Sequence, residues 1–175
     1  MSYSLSRASL PAFKLGLATL SALLDKAAAF CAAKKIDEAV LLQARLAPDM
    51  FAFVRQVQIA TDLAKNGAAR LAGVEAPHQA DDETSIAQLK TRIYATLRHL
   101  DTFDPVKIDA SQAREIVFPM GPTAKGSMKG EDYLAQFLLP SFYFHVTTAY
   151  AILRHNGVEI GKRDYLGAIA VTPVA

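Results

Sequence analysis

Apolar residues recur every three or four positions through most of this chain, and that spacing predicts helices. Leu10, Phe13, Leu17, Leu20, Leu24, Ala27 and Cys31 keep the interval for three heptads, so residues 3–35 read as one long helix with a sustained core seam. Pro11 falls inside it and predicts a start near Ser9 or a bend. Residues 36–46 read as a short helical or irregular connector, with Asp37 as a cap. A second seam, Met50, Val54, Val57, Thr61, Ala64, Ala68 and Leu71, predicts a helix over 48–71, opened by Pro48 in its first turn and closed by Gly73. Beside that seam runs a polar stripe of Phe51, Arg55, Gln58 and Asp62. It reads either as a solvated, locally hydrogen-bonded face or as one wall of a groove. Residues 75–83 are a polar loop with His78 exposed in it. Thr84 then caps a third helix over 85–103, with Ile86, Leu89, Ile93, Leu97 and Leu100 inward and His99 beside them, on the surface.

The helical period breaks over 104–130. Residues 114–119 read as a strand, 120–126 as a turn and 127–129 as an antiparallel return, which makes a small β-hairpin over one end of the bundle. The last helix follows, with Glu131 and Asp132 in its first turn and Asn156-Gly157 at its end. Leu138, Phe142, His145, Ala149 and Ile152 fall on its inward stripe, so His145 is a titratable group in an apolar seam. Pro140 lies well inside and predicts a bend. The tail from 158 is partly polar, then apolar over 165–171, and is expected to pack back on the body or on a second subunit. Four long helices with a long crossover before the last predict an all-α four-helix bundle, one domain over residues 1–175.

Composition narrows the function classes. The chain of 175 residues is 51% apolar and 21% charged, as an ordinary globular protein is. Net charge is +2, and the pairs Lys34-Lys35 and Lys162-Arg163 are too short to follow a phosphate backbone, so no nucleic acid partner is expected. The single cysteine, Cys31, rules out an intramolecular disulfide and a multi-cysteine metal site, and it reads as a small buried apolar group. No basic region leads into an apolar run at the N-terminus, and no 18-residue stretch has the uncharged look of a membrane span. A cytoplasmic protein with no membrane contact is the expectation.

The segment FLLPSFYFHVTTAYAILRHNGVEIGKRDYLG, with PDMFAFVRQVQIATDLAK upstream, resembles a bacterial family of domains of unknown function within the DinB/YfiT-like superfamily. The resemblance implies an up-down-down-up four-helix bundle, often dimeric. Many superfamily members carry a divalent metal held by three histidines, one from the second helix and two, four residues apart, from the last. Members of known activity include thiol-dependent transferases and a maleylpyruvate isomerase. His145 matches the last-helix position, but Ala149 stands four residues on, and the second helix holds no histidine. Gln58 and Asp62 are its nearest polar residues, and His155 is nearly three turns from His145.

Three readings of His145 stand side by side. It is a core histidine hydrogen-bonded to Gln58, Asp62 or Tyr150. Or it is the acid-base residue of a ligand site shared with Gln58, Asp62, Arg55 and Tyr150. Or it is the remnant of a metal site, with Asp62 as second ligand. The residues themselves call for no cofactor, while the resemblance allows a divalent metal. Phe137, Phe142, Tyr143, Phe144 and Tyr150 are dense enough to line a pocket or to fill a core. The expected function is a small-molecule-binding or structural dimeric bundle whose histidine triad has degenerated. The alternative is an enzyme, transferase-like or isomerase-like. The expected partners are a second copy of the chain and an unidentified small molecule.

Overall fold

The computed structural model describes residues 4–121 and 123–172. Among them, four long helices carry the seams read above: α1 (Leu5–Lys34), α3 (Phe53–Ala72), α4 (Ile86–Leu100) and α7 (Leu139–His155). Side-chain pairs give their directions. Lys14 pairs with Asp101 at 2.7 Å and Lys90 pairs with Asp25, so α1 and α4 run antiparallel. Thr61 meets Arg92, and the charge of Lys65 is felt at His99, so α3 and α4 run parallel. Gln56 meets His145 while Gly67 lies under Leu138, which makes α3 and α7 antiparallel. Phe13 meets Phe142 edge-on at 5.1 Å and Phe30 lies beside Gly157, so α7 returns along α1. The order is up, down, down, up.

The first seam holds throughout: Leu10, Phe13, Leu17, Leu20, Leu24, Ala27 and Cys31 are all buried. Pro11 sits in the second turn of α1 without ending it. Asp37 caps the short α2 (Glu38–Leu42) by accepting from Ala39 N–H at 2.9 Å. The second seam holds from Val57 to Leu71, where Val57, Thr61, Ala64, Ala68 and Leu71 are all buried, and fails only at its start. Helix α3 begins at Phe53, because Pro48 occupies the second position of a turn closed by Met50 N–H to Ala47 O, a place that suits its fixed φ. Its buried residues include Phe53, Gln56, Val57, Gln58, Ala60, Thr61, Ala64, Lys65, Gly67, Ala68 and Leu71, while Val54 is only half-buried. The buried face is wider than one stripe because α3 packs against both α4 and α7. Gly73, at φ 72°, ends the helix in the left-handed conformation that glycine adopts without strain.

Close approach brings α7 against its neighbours. A Cβ on Gly16 would stand 2.6 Å from the Phe142 ring, and one on Gly67 would stand 2.5 Å from Leu138. Helix α4 is capped by Ser85 rather than Thr84, in a capping box with Gln88. His99 is only partly exposed: its Nε2 is buried with no hydrogen-bond partner among the described residues, and its ring meets Phe103 edge-on at 4.8 Å.

A single turn, α5 (Pro105–Asp109), leads to the hairpin β1 (Glu115–Met120) and β2 (Ala124–Lys129). They pair antiparallel, from Glu115 opposite Lys129 to Met120 opposite Ala124. The return strand thus starts three residues earlier than its sequence suggests. Ile116 and Phe118 point inward and Val117 outward, the alternation of a one-sided strand. The last helix begins at α6 (Gly130–Asp132) and continues through a π segment, Tyr133–Leu138, into α7. Pro140, in the first turn of α7, has no N–H to donate one turn back, and the widened turn precedes it. This segment stacks Tyr133 and Phe137 on Phe118 at centroid distances of 4.9 and 4.5 Å. The tail forms α8 (Lys162–Leu166), pinned to α1 by Asp164 on Lys26 at 2.6 Å.

By length and composition α1 could cross a membrane. Its leucine seam is instead buried inside the bundle, as in the core helix of a soluble globular domain.

Candidate functional site

His145 sits at mid-height of α7, facing α3. Its Nδ1 lies 2.7 Å from Gln56 Oε1. The amide of Gln56 is held by its own Nε2, which donates to the Phe51 carbonyl at 3.0 Å, so the carbonyl oxygen is the end that meets the ring. Gln56 Oε1 can only accept, and therefore Nδ1 carries the hydrogen and Nε2 the lone pair. Nε2 has no hydrogen-bond partner among the described residues and is not sealed from solvent. Burial, and then the positive charge of Arg55, push the His145 pKa down to about 4. At neutral pH the ring is an uncharged acceptor.

The other residues expected at this site are grouped elsewhere. Gln58 accepts from Arg55 at 3.2 Å and donates to Glu83 at 2.8 Å. Asp62 accepts from Lys65 at 3.1 Å and from Arg92 at 2.9 Å. Tyr150 packs edge-on against Tyr165 of α8, away from His145. The partner of His145 is Gln56, and none of the three residues anticipated for it. Gln58 and Asp62 lie about half a turn and nearly two turns further along α3, on a side that faces α4 and the 75–83 loop. Of the anticipated set, only Arg55 acts on both groups.

That second group is a buried ionic network centred on Arg92, whose side chain is 2% exposed. Its Nε donates to Thr61 at 2.6 Å, one terminal nitrogen to Ala80 O at 2.7 Å and Glu83 at 3.0 Å, and the other to Asp62 at 2.9 Å and Asp81 at 3.1 Å. Arg55 also pairs with Asp81. Lys65, equally buried, reaches Gln79 at 3.3 Å. The polar 75–83 loop is thereby clamped to two helices.

A cleft of about 200 Å³ opens on the outer face of α3, between that helix, β1 and the π segment. Arg55, Asp62, Asn66 and Arg70 line one side, Phe118, Pro119 and Phe137 the other. Arg55 joins this cleft to the surroundings of His145.

The model of the family described as a domain of unknown function, DUF1993, matches residues 5–166. The chain belongs to the DUF1993 family. It is also similar to a solved DinB family member protein from Shewanella denitrificans, at 43% identity over 97% of this chain and 96% of that one, with a TM-score of 0.89. No curated protein matches.

For this DUF1993 chain, the DinB-like fold raises the question of a metal. The side chains around His145 are not a set of metal donors. Nδ1 is engaged by an amide, the nearby charge is the cation Arg55, and Ala149 fills the position of the second last-helix histidine. Among the described residues no group of three or more His, Cys, Asp or Glu is placed to hold a metal ion. The donor set does not fit the three-histidine site of the superfamily.

Proposed function

We propose that this DUF1993 chain is a small-molecule-binding bundle in which the superfamily's histidine triad has degenerated, working in the cytoplasm without a resident metal. The hydrogen bond from His145 Nδ1 to Gln56 Oε1 carries the reading. It fixes the ring as a neutral acceptor with Nε2 outward, beside a guanidinium that repels a cation and attracts an anion. A metalloenzyme would need further imidazoles or carboxylates where Gln56, Arg55 and Ala149 stand.

The acid-base alternative is weaker on the same observation. A general base works best with a pKa near the operating pH. A ring held at about 4 is neither a strong base nor a proton donor at neutral pH. An enzyme built here would have to raise that value on binding substrate.

Metal analysis of protein purified without an affinity tag tests the proposal. The expected result is no stoichiometric transition metal, with His145→Ala lowering stability by about 1–3 kcal/mol through the stranded Gln56 amide. One equivalent of zinc or nickel, lost on His145→Ala, would overturn it.

A further inference from the structure

We propose that the cleft between α3, β1 and the π segment binds a small carboxylate with a single aromatic or comparably flat apolar body. The inference rests on the reading of the bundle as a small-molecule binder, and it concerns residues that do not touch His145.

Charge balance around the cleft is uneven. Arg55, Lys65 and Arg92 are matched by Asp62, Asp81 and Glu83, each carboxylate lying against at least one of those cations. Arg70 is different. It is half-buried, lines the cleft and forms no ion pair among the described residues; one of its nitrogens donates to the Tyr133 phenol at 3.3 Å. A guanidinium has five N–H donors arranged as a fork that suits a carboxylate, so most of that fork is unused. Asn66, one turn before it on the same face of α3, also lines the cleft and makes no hydrogen bond through its amide among the described residues. Its NH₂ group supplies a further donor beside the fork.

The opposite wall is apolar. Phe118 and Phe137 lie 4.5 Å apart with planes 36° from parallel, Pro119 continues the wall, and Ile59 and Leu63 floor it from α3. A flat ring placed there extends an existing stack while its carboxylate faces Arg70 and Asn66. Drug-sized ligands occupy pockets of roughly 300–1,000 Å³. A cleft of about 200 Å³ suits a one-ring compound. The Asp62 carboxylate on the rim is already bonded by Lys65 and Arg92, which limits its repulsion of an anion.

The test is amide chemical-shift titration of the full chain with benzoate, phenylacetate and, as the uncharged control, phenylacetamide. Expected are saturable shifts centred on Asn66, Arg70, Phe118 and Phe137 with the two carboxylates, and affinity reduced about tenfold or more in Arg70→Gln, as befits a lost charge-assisted bond. Phenylacetamide should bind as weakly to the wild type as phenylacetate does to that variant. Arg70→Lys, which keeps the charge and loses the fork, should fall between them; it serves if Arg70→Gln does not fold. Shifts centred elsewhere, no saturation with either carboxylate, or unchanged affinity in both Arg70 variants would overturn the inference. Saturable binding that depends on His145 but not on Arg70 would sink this cleft while leaving the binder reading in place.

Discussion

Acid should destabilise this protein through His145 in a window that the ring itself defines. In the folded chain its pKa is lowered from 6.5 to about 4 by burial and by Arg55. An unfolded imidazole binds its proton as pH falls through about 6.5, whereas the folded one resists until about 4. The sign follows: stability attributable to this group is full above pH 6.5, declines as pH drops towards 4, and changes no further below that. Each pH unit of the gap is worth about 1.4 kcal/mol, which sets a ceiling near 3 kcal/mol. Part of the ring is in contact with solvent, and screening reduces the expected loss to about 2 kcal/mol. Carboxylates such as Asp109, held low by its bonds to Ser6 although burial opposes them, add acid sensitivity of their own. The assay is therefore a difference. Urea unfolding of wild type and His145→Gln is compared at about pH 7.5 and about pH 4.5, glutamine being able to keep an amide bond to Gln56 without titrating. Wild type should lose about 2 kcal/mol more than the variant across that interval. Equal losses would show that His145 is not held neutral by the fold, and the tautomer argument would fail with it.

Arg92→Met should cost about 3–5 kcal/mol in urea unfolding, because it strips a buried guanidinium from three carboxylates, and it should make the 75–83 loop newly sensitive to limited proteolysis. A loss under about 1 kcal/mol would mean that the network is solvated and replaceable. We also propose that the chain forms a homodimer, on the strength of its apolar composition, the bundle resemblance and exposed side chains such as Phe144 and Phe51. Sedimentation at micromolar concentration should then give about twice 18.9 kDa, and a single species at 18.9 kDa would refute it.

What could be read in the sequence was set by periodicity. The leucine seam of α1 and the inward face of α7 follow from helical spacing, and the hairpin before the last helix from a short apolar run followed by turn residues, which left the start of its return strand unfixed. The start of α3 did not follow from spacing, because a proline suits a turn as well as a first helical turn and nothing local chooses between them. Its seam is in register from Val57 to Leu71 but narrower than the face that is buried. A helix touching two neighbours buries a face too wide for a single three-four stripe, and Gln56 lies on the part left out. The partner of His145 was missed on that account. The signal was there, since Gln56 keeps helical spacing with Phe53 and Ala60, both fully buried. Arg92 was overlooked in the same way: it falls between Leu89 and Thr96 on a buried stripe, where a charged residue announces a partner on the facing helix. The cleft by Arg70 had no sequence signal, because its walls are brought together by the hairpin and the π segment from positions some fifty or more residues away.

The two polar crossings of the core also explain why α3 has one register. Gln56 meets His145 on α7, and Thr61 with Asp62 meets Arg92 on α4. Along the same helix, Gly67 admits Leu138 at a distance that no larger residue would tolerate. Sliding α3 by one turn would leave the Gln56 amide without its imidazole partner, at about 1–3 kcal/mol, and would take Thr61 and Asp62 away from the Arg92 guanidinium. It would also drive Leu138 into a side chain. Apolar seams alone tolerate such a slide, since one alanine resembles the next in Ala60, Ala64 and Ala68. The polar pairs remove that freedom, as a single buried polar residue does in a coiled coil. Register in turn sets where Arg55, Asn66 and Arg70 face the hairpin, so the same pairs that fix the fold also fix the geometry of the cleft.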